Sequence, residues 1–461
     1  MEQLSIREVV EALGGRLLKG SPDSFVTGVN TDTRSIERGD LFFALKGEHA
    51  DGHVYVGRAL EAGASGVVIS DQSTVPAESS AAVVRVDDPL WALGELARHY
   101  RRKFDVRVVG ITGSVGKTTT KEMLASILER KWRVLKNPVN FNNEIGVPLT
   151  LFELDRGHEA VVIEMAMRGL GEISRLAVIA GPQVGVITNV GISHIERLGS
   201  QGAIAEAKAE LLAELPPDGL AVLNAEDGYF RLMYERFPGR VISFGSCESA
   251  DVVATRTRFL SDGRCSFVLT WKGDSVEVKI PILGHHNVYN ALAASAAAVG
   301  MGVDLGTIRE GIEGFSSLAM RMELVKSTRG YAVLNDAYNA GPASMLAALR
   351  TLRALKGYKR RIAVLGDMLE LGDYASKAHS DLGVAIVDSG VGMLVTVGCL
   401  AKEIADGARA AGFPADAIRS YADSSEAGRK LRDEIVPGDV VLVKGSRAVK
   451  MEEIVRTLAD D

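Results

Sequence analysis

The sequence predicts an α/β protein with three domains: a small mixed α/β N-terminal domain over residues 1–104, a central P-loop ATPase-like parallel sheet over residues 105–316, and a C-terminal Rossmann-like domain over residues 317–461. Three observations lead to this prediction. The length of 461 residues is more than one hydrophobic core accommodates. A glycine-rich loop begins only at residue 110. After it, short apolar runs alternate with helical segments, which is typical of parallel sheets with crossover helices.

The composition is that of a globular protein, with 46% hydrophobic and 24% charged residues. The alanine-rich stretch over residues 291–303 is shorter than the roughly 20 apolar residues that span a bilayer, so a packed helix is expected and membrane insertion is not. The opening residues, MEQLSIRE, include acidic side chains and no apolar segment, so no signal peptide is expected. With a net charge of −6 and few basic runs, nucleic acid is not expected as a partner.

The three cysteines, Cys247, Cys265 and Cys399, are widely spaced along the chain. They lack the close spacing of zinc ligands, and an odd number of cysteines cannot all pair within one chain. A reducing cytoplasmic location is therefore expected.

Residues 1–104 combine turn-forming clusters with a short apolar run over residues 41–45 and a helix predicted over residues 56–62. Two polar clusters stand out, TDTR at residues 31–34 and DGH at residues 51–53. Each is open to two interpretations from its residues alone: capping and turn positions, or contacts to a ligand.

The central feature is the segment GITGSVGKTTT over residues 110–120. It follows an apolar run and leads into an amphipathic helix, and such a strand, loop and helix can cradle a polyphosphate with backbone N–H groups and the helix N-terminus. Lys117 would reach the terminal phosphates, and Thr118 has the hydroxyl that a P-loop presents to Mg²⁺. Ile111 departs from the strict spacing, which requires glycine there. The alternative is a tight turn with a solvated lysine.

Polar residues follow the next two apolar runs. Glu164 ends the run over residues 160–163, and His194 follows the run over residues 184–188. The carboxyl ends of parallel strands share one edge of a sheet, so both side chains are expected beside the P-loop. Glu164 would hold Mg²⁺ there, although a carboxylate in this position could also cap a helix.

Three further groups have open interpretations. The amide-rich stretch over residues 137–148 indicates either substrate hydrogen bonding or a structured turn. Lys208 lies on a predicted helix and has no glutamate on its own face, so from its sequence context it reads as a solvated lysine. Asn287 and Asn290 lie one helical turn apart, where they could cap the helix or bind a ligand.

After residue 315 the β-α repetition starts again without a second P-loop. An apolar run over residues 331–334 leads into DAYNAGP, which contains Asp336, Tyr338 and Asn339. Further strands are predicted over residues 361–365, 392–397 and 439–443. This domain is expected to close over the central one.

Together these motifs resemble one family over essentially the whole chain: the Mur ligases, ATP-dependent amide-forming enzymes of peptidoglycan synthesis and cell-wall biogenesis. The P-loop TGSVGKTT, at residues 112–119, is similar to theirs. The resemblance implies that ATP is bound by Thr112, Gly113, Ser114, Val115, Gly116, Lys117, Thr118, Thr119, Asn287, Asn290, Arg321 and Asp336. It implies Mg²⁺ ligands at Thr118, Glu164, His194 and Lys208, the lysine being carbamylated, and catalytic roles for Lys117, Lys208, His194 and Arg321.

Four stretches are similar to the branch of the family that joins D-alanyl-D-alanine to UDP-N-acetylmuramoyl-tripeptide: residues 31–34 with 51–53, 140–148, 336–340 and 365–372. One departure is GPAS at residues 341–344, where NPDS is expected. The resemblance implies substrate-binding roles for Thr31, Asp32, Thr33, Arg34, Asp51, Gly52, His53, Asn140, Asn142, Asn143, Tyr338 and Asn339.

The implied reaction proceeds through an acyl-phosphate intermediate, with ATP and Mg²⁺ as cofactors, two small-molecule substrates and a monomeric enzyme. Alternatives are another Mur-type or folylpolyglutamate-type ligase, or, from a different class, a P-loop protein that uses ATP to switch shape. The residues do not distinguish diaminopimelate from lysine in the tripeptide.

Overall fold

The computed structural model describes residues 1–47, 50–72, 75–76, 79–316 and 318–459. Its N-terminal part is a five-stranded sheet in the order β2-β7-β6-β5-β4, parallel except for β2, beside the short antiparallel pair β1-β3. The elements are β1 Leu4–Ser5, α1 Ile6–Leu13, β2 Arg16–Lys19, β3 Phe25–Val26, β4 Gly28–Asn30, β5 Asp40–Phe43, a 3₁₀ turn Gly52–Tyr55, α2 Val56–Glu61, β6 Gly66–Ile69, β7 Ala82–Arg85 and α3 Pro89–Arg101.

Helix α3 connects this part to the rest of the protein. It begins where Asp88 accepts hydrogen bonds from the amides of Leu90 (2.8 Å) and Trp91 (3.1 Å), with Pro89 at the first helical position. Its apolar face contributes to a hydrophobic core that continues into the central part. The N-terminal sheet is thereby held against the central one.

The central part contains a nine-stranded sheet in the order β16-β15-β14-β13-β12-β11-β8-β10-β9. Its elements are β8 Arg107–Thr112, α4 Lys117–Leu128, β9 Val134–Lys136, α5 Gly146–Leu151, β10 Ala160–Glu164, α6 Glu172–Ala180, β11 Val184–Ile187, α7 Ile195–Leu198, α8 Gln201–Ala213, β12 Leu220–Asn224, α9 Phe230–Arg236, β13 Arg240–Gly245, β14 Val252–Phe259, β15 Arg264–Trp271, β16 Asp274–Leu283, α10 His286–Gly300 and α11 Leu305–Glu313.

The expectation of a wholly parallel sheet is wrong at one edge. Strands β14, β15 and β16 form an antiparallel ribbon. The turn from β15 to β16 places Lys272 at φ 51° and Gly273 at φ 90°, the pair of positive φ values that two-residue hairpins favour. The expected alanine-rich helix is α10, and its buried face packs on this sheet and on α4.

The C-terminal part is a six-stranded sheet in the order β17-β18-β22-β19-β20-β21, parallel except for β17. Its elements are β17 Glu323–Lys326, β18 Ala332–Asn335, α12 Pro342–Ala354, β19 Arg360–Gly366, a 3₁₀ turn Gly372–Tyr374, α13 Ala375–Val387, β20 Met393–Val397, α14 Lys402–Ala410, a 3₁₀ turn Ala415–Ala417, β21 Ile418–Tyr421, α15 Ser424–Glu434, β22 Asp439–Lys444, a 3₁₀ turn Arg447–Val449 and α16 Glu452–Ala459.

Helices cover both faces of this sheet, with α12, α13 and α14 over one core and α15 and α16 over the other. The chain therefore leaves β19 toward one face of the sheet and β22 toward the other. The crevice between the carboxyl ends of these two neighbouring strands is the switch point, where open α/β sheets bind ligands. Here the crevice is filled by Met451, which is fully buried. A Cβ added at Gly366 would lie 2.8 Å from the sulfur of Met451. The predicted α/β fold class is confirmed, and the domain limits at residues 104 and 316 stay a prediction.

Candidate active site

A cleft of about 850 Å³ lies where the carboxyl ends of the central strands meet the C-terminal part. It brings together fifteen of the residues predicted for the site. They are Ser114, Val115, Gly116, Lys117, Thr118, Thr119, Asn142, Glu164, His194, Asn287, Asn290, Arg321, Asp336, Tyr338 and Asn339.

The P-loop is fixed by its neighbours on both sides. The amide of Val115 donates to Asn189 Oδ1 (3.0 Å), and Asn189 Nδ2 donates back to the carbonyl of Val115 (2.9 Å). On the other side, a Cβ built on Gly116 would lie 2.2 Å from Asn290 Oδ1, and Gly116 has φ 88°. Position 116 therefore requires glycine for two reasons, backbone conformation and close approach.

Lys117 is folded over its own loop, with Nζ donating to the carbonyl of Gly113 at 2.8 Å. Burial lowers the pKa of Lys117, the Glu164 carboxylate opposes that shift, and the Arg321 guanidinium adds to it. Lys117 is half-buried here, and a phosphate bound in this loop would place a negative charge beside it. The contact of Lys117 with a phosphate stays a prediction.

Arg321 extends from the C-terminal part into the P-loop. Its Nη2 donates to Thr118 Oγ1 at 3.1 Å, and its guanidinium carbon lies 4.0 Å from the centroid of the Tyr338 ring. Tyr338 in turn donates its hydroxyl hydrogen to Asn140 Oδ1. These contacts join the two parts of the protein across the cleft.

Glu164 is the last residue of β10 and is almost fully buried, so the helix-cap alternative is wrong. Its Oε1 accepts a hydrogen bond from Asn142 Nδ2 at 2.9 Å. The structured turn expected for the amide-rich stretch is present, because Asn143 Oδ1 accepts from the amides of Ile145 (3.2 Å) and Gly146 (2.9 Å). Asn142 faces the cleft, and its hydrogen bonding to substrate stays a prediction.

His194 lines the cleft and has a left-handed conformation with φ 65°. Its Nδ1 is 2.6 Å from Oε2 of Glu370, a carboxylate of the C-terminal part. The hydrogen bond from His194 is the main cause that lowers the pKa of Glu370.

Lys208 lies on α8 with only 1% of its surface exposed, so the prediction of a solvated lysine is wrong. Burial lowers its pKa well below the usual value, the charge of Lys117 adds to the effect, and Asp227 opposes it. Within the described part of the chain, no salt bridge within 4.0 Å compensates the ammonium. Burial therefore favours the neutral amine form of this side chain over the ammonium form.

Two asparagines of α10 line the cleft and are linked by hydrogen bonds. Asn290 Nδ2 donates to Asn287 Oδ1 (2.8 Å), and Asn287 Nδ2 donates to the carbonyl of Leu283 (2.7 Å). Asp336 Oδ2 accepts from Lys444 Nζ at 2.5 Å. Lys444 is a site residue that the sequence reasoning missed, although it ends β22 and so follows the same strand-end rule as Glu164.

Several predicted residues do not line this cleft. In the N-terminal part, the Asp32 carboxylate accepts from Arg34 Nε at 2.9 Å, which lowers the pKa of Asp32 to about 2. His53 is buried and bonded to Asp51 (2.7 Å) and to the Ser70 amide (3.0 Å), as in a structural turn. The residues outside the lining are Thr31, Asp32, Thr33, Arg34, Asp51, Gly52, His53, Thr112, Gly113, Asn140, Asn143 and Lys208.

No cluster of three or more histidine, cysteine, aspartate or glutamate side chains suited to a metal occurs in the described ranges. Likewise, none of the helices in those ranges has the length and hydropathy needed to cross a membrane.

The fold and site define a multidomain P-loop protein in which a second α/β domain contributes an arginine to the phosphate loop. Family models match in three places: "Mur ligase family, catalytic domain" at residues 25–101, "Mur ligase middle domain" at residues 111–298, and "Mur ligase, glutamate ligase domain" at residues 320–447. The chain belongs to the Mur ligase family.

Two relatives have the same name, UDP-N-acetylmuramoyl-tripeptide--D-alanyl-D-alanine ligase. The Bacillus subtilis protein is 38% identical, covering 100% of this chain and 99% of its own. The Synechocystis protein is 40% identical, covering 95% and 93%.

Two solved structures are similar to this chain over nearly its whole length. MurF from Acinetobacter baumannii has a TM-score of 0.92 at 33% identity, covering all of both chains. MurF from Thermotoga maritima, in complex with ADP, has a TM-score of 0.84 at 28% identity, covering 94% of this chain and 97% of its own.

Proposed function

We propose that this chain is an ATP-dependent ligase that joins D-alanyl-D-alanine to UDP-N-acetylmuramoyl-tripeptide, releasing ADP and phosphate. The observation that carries the proposal is the cleft itself, in which a P-loop lysine, a buried carboxylate and an arginine from the second domain converge. The names of the full-length relatives supply the substrates. The reaction belongs to peptidoglycan precursor synthesis, and a cytoplasmic location is part of the proposal.

A carboxylate must be activated before it can form an amide, because its leaving group would otherwise be oxide. ATP supplies this activation by transferring its γ-phosphoryl group to the terminal carboxylate of the tripeptide. Lys117 and Arg321 neutralise charge on the phosphoryl oxygens in this step. The dipeptide amine then attacks the acyl phosphate, the C–N bond forms, and phosphate leaves.

The residues of the site fit a Mg²⁺ ion. Glu164 has a buried carboxylate with Oε1 bonded to Asn142, and Thr118 has a hydroxyl at the start of α4. Mg²⁺ takes few protein ligands and completes its shell with phosphate oxygens and water, which agrees with the lack of an all-protein cage in the described ranges. Two Mg²⁺ ions, held between them by Thr118, Glu164, His194 and carbamylated Lys208, would neutralise charge on the transferring phosphoryl group.

Carbamylation of Lys208 has a physical basis in its burial. Carbon dioxide reacts with a neutral amine, and burial favours the neutral form of Lys208. The N–C bond forms and a proton is released, so the modification converts a buried amine into an anionic carbamate, which the positive charge of Lys117 would stabilise.

The uridine diphosphate end of the substrate is assigned to the N-terminal part. Asp32 and Arg34 form an exposed, mutually bonded pair there. Asp51, Gly52 and His53 form a hydrogen-bonded turn in the same part of the chain and are assigned to the same end of the substrate. Tyr338 and Asn339 are assigned to the dipeptide side, beside Gly341, where a Cβ would meet only Ser193 Oγ at 4.0 Å.

Two contacts between the central and C-terminal parts involve assigned ligand-binding residues, Thr118 with Arg321 and Asn140 with Tyr338. ATP therefore draws together residues from both domains, and closure precedes chemistry. Small-angle scattering should show compaction on addition of nucleotide and UDP-substrate, and an unchanged radius of gyration with both bound would exclude closure.

The test of the function is phosphate release from ATP with UDP-N-acetylmuramoyl-tripeptide, with and without D-alanyl-D-alanine, together with the mass of the uridine product. A ligase releases phosphate in step with a product that gains the dipeptide. ATP turnover that needs neither substrate would instead support a P-loop switch.

A further inference from the structure

Two fully buried polar side chains near Glu164 have no part in the proposed reaction. They are Lys121, on the P-loop helix α4, and Asn137, the residue after β9. Burying an ammonium or an amide is costly unless its polar atoms are hydrogen-bonded. Both side chains are bonded to backbone groups, and the positions of those groups indicate what the two residues do.

The side chain of Asn137 extends the pairing of the sheet beyond the end of β9. The backbone pairing of β9 with β10 ends at Lys136, and Pro138 has no N–H with which to continue it. Instead, Asn137 Oδ1 accepts from the amide of Glu164 at 2.9 Å, and Asn137 Nδ2 donates to the carbonyl of Glu164 at 3.0 Å. On its other side, Glu164 pairs with Ile111 of β8. The backbone of Glu164 is therefore fixed from both sides.

Asn137 also holds the loop that carries Asn142. Asn137 Nδ2 donates a second hydrogen bond, to the carbonyl of Phe141 at 2.8 Å. The carbonyl of Asn142 accepts from the amide of Ala166 at 2.9 Å, and Asn142 Nδ2 donates to Glu164 Oε1 at 2.9 Å. One buried amide thus positions both the backbone of Glu164 and the hydrogen-bond partner of its carboxylate.

Lys121 connects this arrangement to the P-loop helix. It lies three residues after Thr118 on α4, and its Nζ donates to the carbonyl of Asn137. Its charge is compensated by Glu122 at 3.0 Å, which also pairs with Lys136 at 2.7 Å. The helix that carries Thr118 and the carboxyl end of β10 are therefore joined through buried hydrogen bonds.

We propose that Asn137 and Lys121 are positioning residues of the magnesium site. Asn137 aims the Glu164 carboxylate into the cleft, and Lys121 fixes the Thr118 helix relative to it. Both act through the backbone that carries the oxygen ligands, and metal affinity depends on such outer contacts by about 10- to 100-fold. This inference rests on the proposed function, in which Thr118 and Glu164 hold Mg²⁺.

The experiment is calorimetric titration of β,γ-imido-ATP, a non-hydrolysable analogue of ATP, into wild-type protein and Asn137→Ala. Each titration is run once with excess Mg²⁺ and once with a chelator. With Mg²⁺, the Kd of Asn137→Ala should rise about tenfold. With chelator it should stay within about twofold of the wild-type value, because the P-loop contacts to phosphate do not require Glu164.

Lys121→Met gives a second variant, which decides the question if Asn137→Ala fails to fold. It keeps the length of the side chain and leaves Glu122 paired with Lys136. With Mg²⁺ its Kd should rise about two- to fivefold, which corresponds to one lost hydrogen bond, and with chelator its Kd should not change.

Gln183→Ala is the matched control. Gln183 Oε1 accepts from the amide of Val108 at 2.7 Å, so this variant also removes a side-chain amide bonded to the central sheet, but at the opposite end of β8. It should bind the analogue as wild type does in both conditions. For Asn137→Ala or Lys121→Met, a Kd that is unchanged with Mg²⁺, or that rises equally with chelator, overturns the role of that residue. A wild-type Kd that does not respond to Mg²⁺ overturns the proposed metal site itself.

Discussion

Replacing Lys444 by methionine should destabilise the C-terminal domain, because it leaves Asp336 charged and buried. The side chains of Lys444 and Asp336 are 4% and 12% exposed, and their contact is 2.5 Å. Without Lys444, the carboxylate of Asp336 keeps one hydrogen bond within the described residues, from the amide of Met322 at 3.2 Å. Removing one partner of a buried pair costs about 3–5 kcal/mol. The carbonyl of Asn339 also loses its 2.9 Å donor, which adds about 1 kcal/mol.

The double variant Asp336→Asn/Lys444→Met should recover most of this loss, to within about 1–2 kcal/mol of wild type, because an amide oxygen still accepts from Met322 and no charge remains. Hydrogen exchange of peptides from β18 and β22 measures the opening free energy of this domain alone. If Lys444→Met lowers that free energy by less than about 1 kcal/mol, or if the double variant is no better than the single one, the pair does not hold these strands together.

Three further predictions concern the cleft. Gly116→Ala should abolish ATP binding in calorimetry, because its Cβ would lie 2.2 Å from Asn290 Oδ1, whereas Gly390→Ala, also at positive φ but with open space around it, should bind ATP normally. Removing carbon dioxide and bicarbonate from the assay should lower kcat on the order of a hundredfold, because Lys208 would lose its proposed carbamate. Restoring them should recover kcat, and a kcat that does not respond would rule out carbamylation. Burial holds the pKa of His286 at about 4, below its ordinary 6.5. Between these two pH values the unfolded chain therefore binds more protons than the folded protein does. The free energy of unfolding should fall by up to about 3 kcal/mol as the pH drops through this window. For His286→Asn this fall should be smaller, as measured by urea unfolding at the two ends of the window.

The parts of the site that the sequence predicts well are those set by local geometry. The P-loop is contained in eleven consecutive residues, 110–120, and Glu164 and His194 follow from the rule that parallel strands end at one edge. The same rule applied to β22 would have found Lys444. The antiparallel ribbon also had a local signal, the Lys272-Gly273 turn.

Other parts could not be predicted because they depend on tertiary packing. Thr118 and Arg321 are 203 residues apart, and nothing near either residue indicates their contact. Lys208 has a helical context that is ordinary in sequence, and only the packing around α8 buries it. Likewise, the hydrogen bond from the Ser70 amide to His53 depends on how β6 lies beside the 51–53 turn.

The filled crevice of the C-terminal sheet bears on how many nucleotides the protein binds. Met451 occupies the place between β19 and β22 where a sheet of this topology would otherwise receive a pyrophosphate, and a carbon of its side chain lies only 2.6 Å from where a Cβ of Gly445 would stand. In the proposed function, that domain would therefore contact the nucleotide from outside, through Arg321 and Asp336, instead of holding one of its own. We expect the two nucleotide folds of the chain to share a single ATP, and equilibrium dialysis at saturation should count one nucleotide per polypeptide.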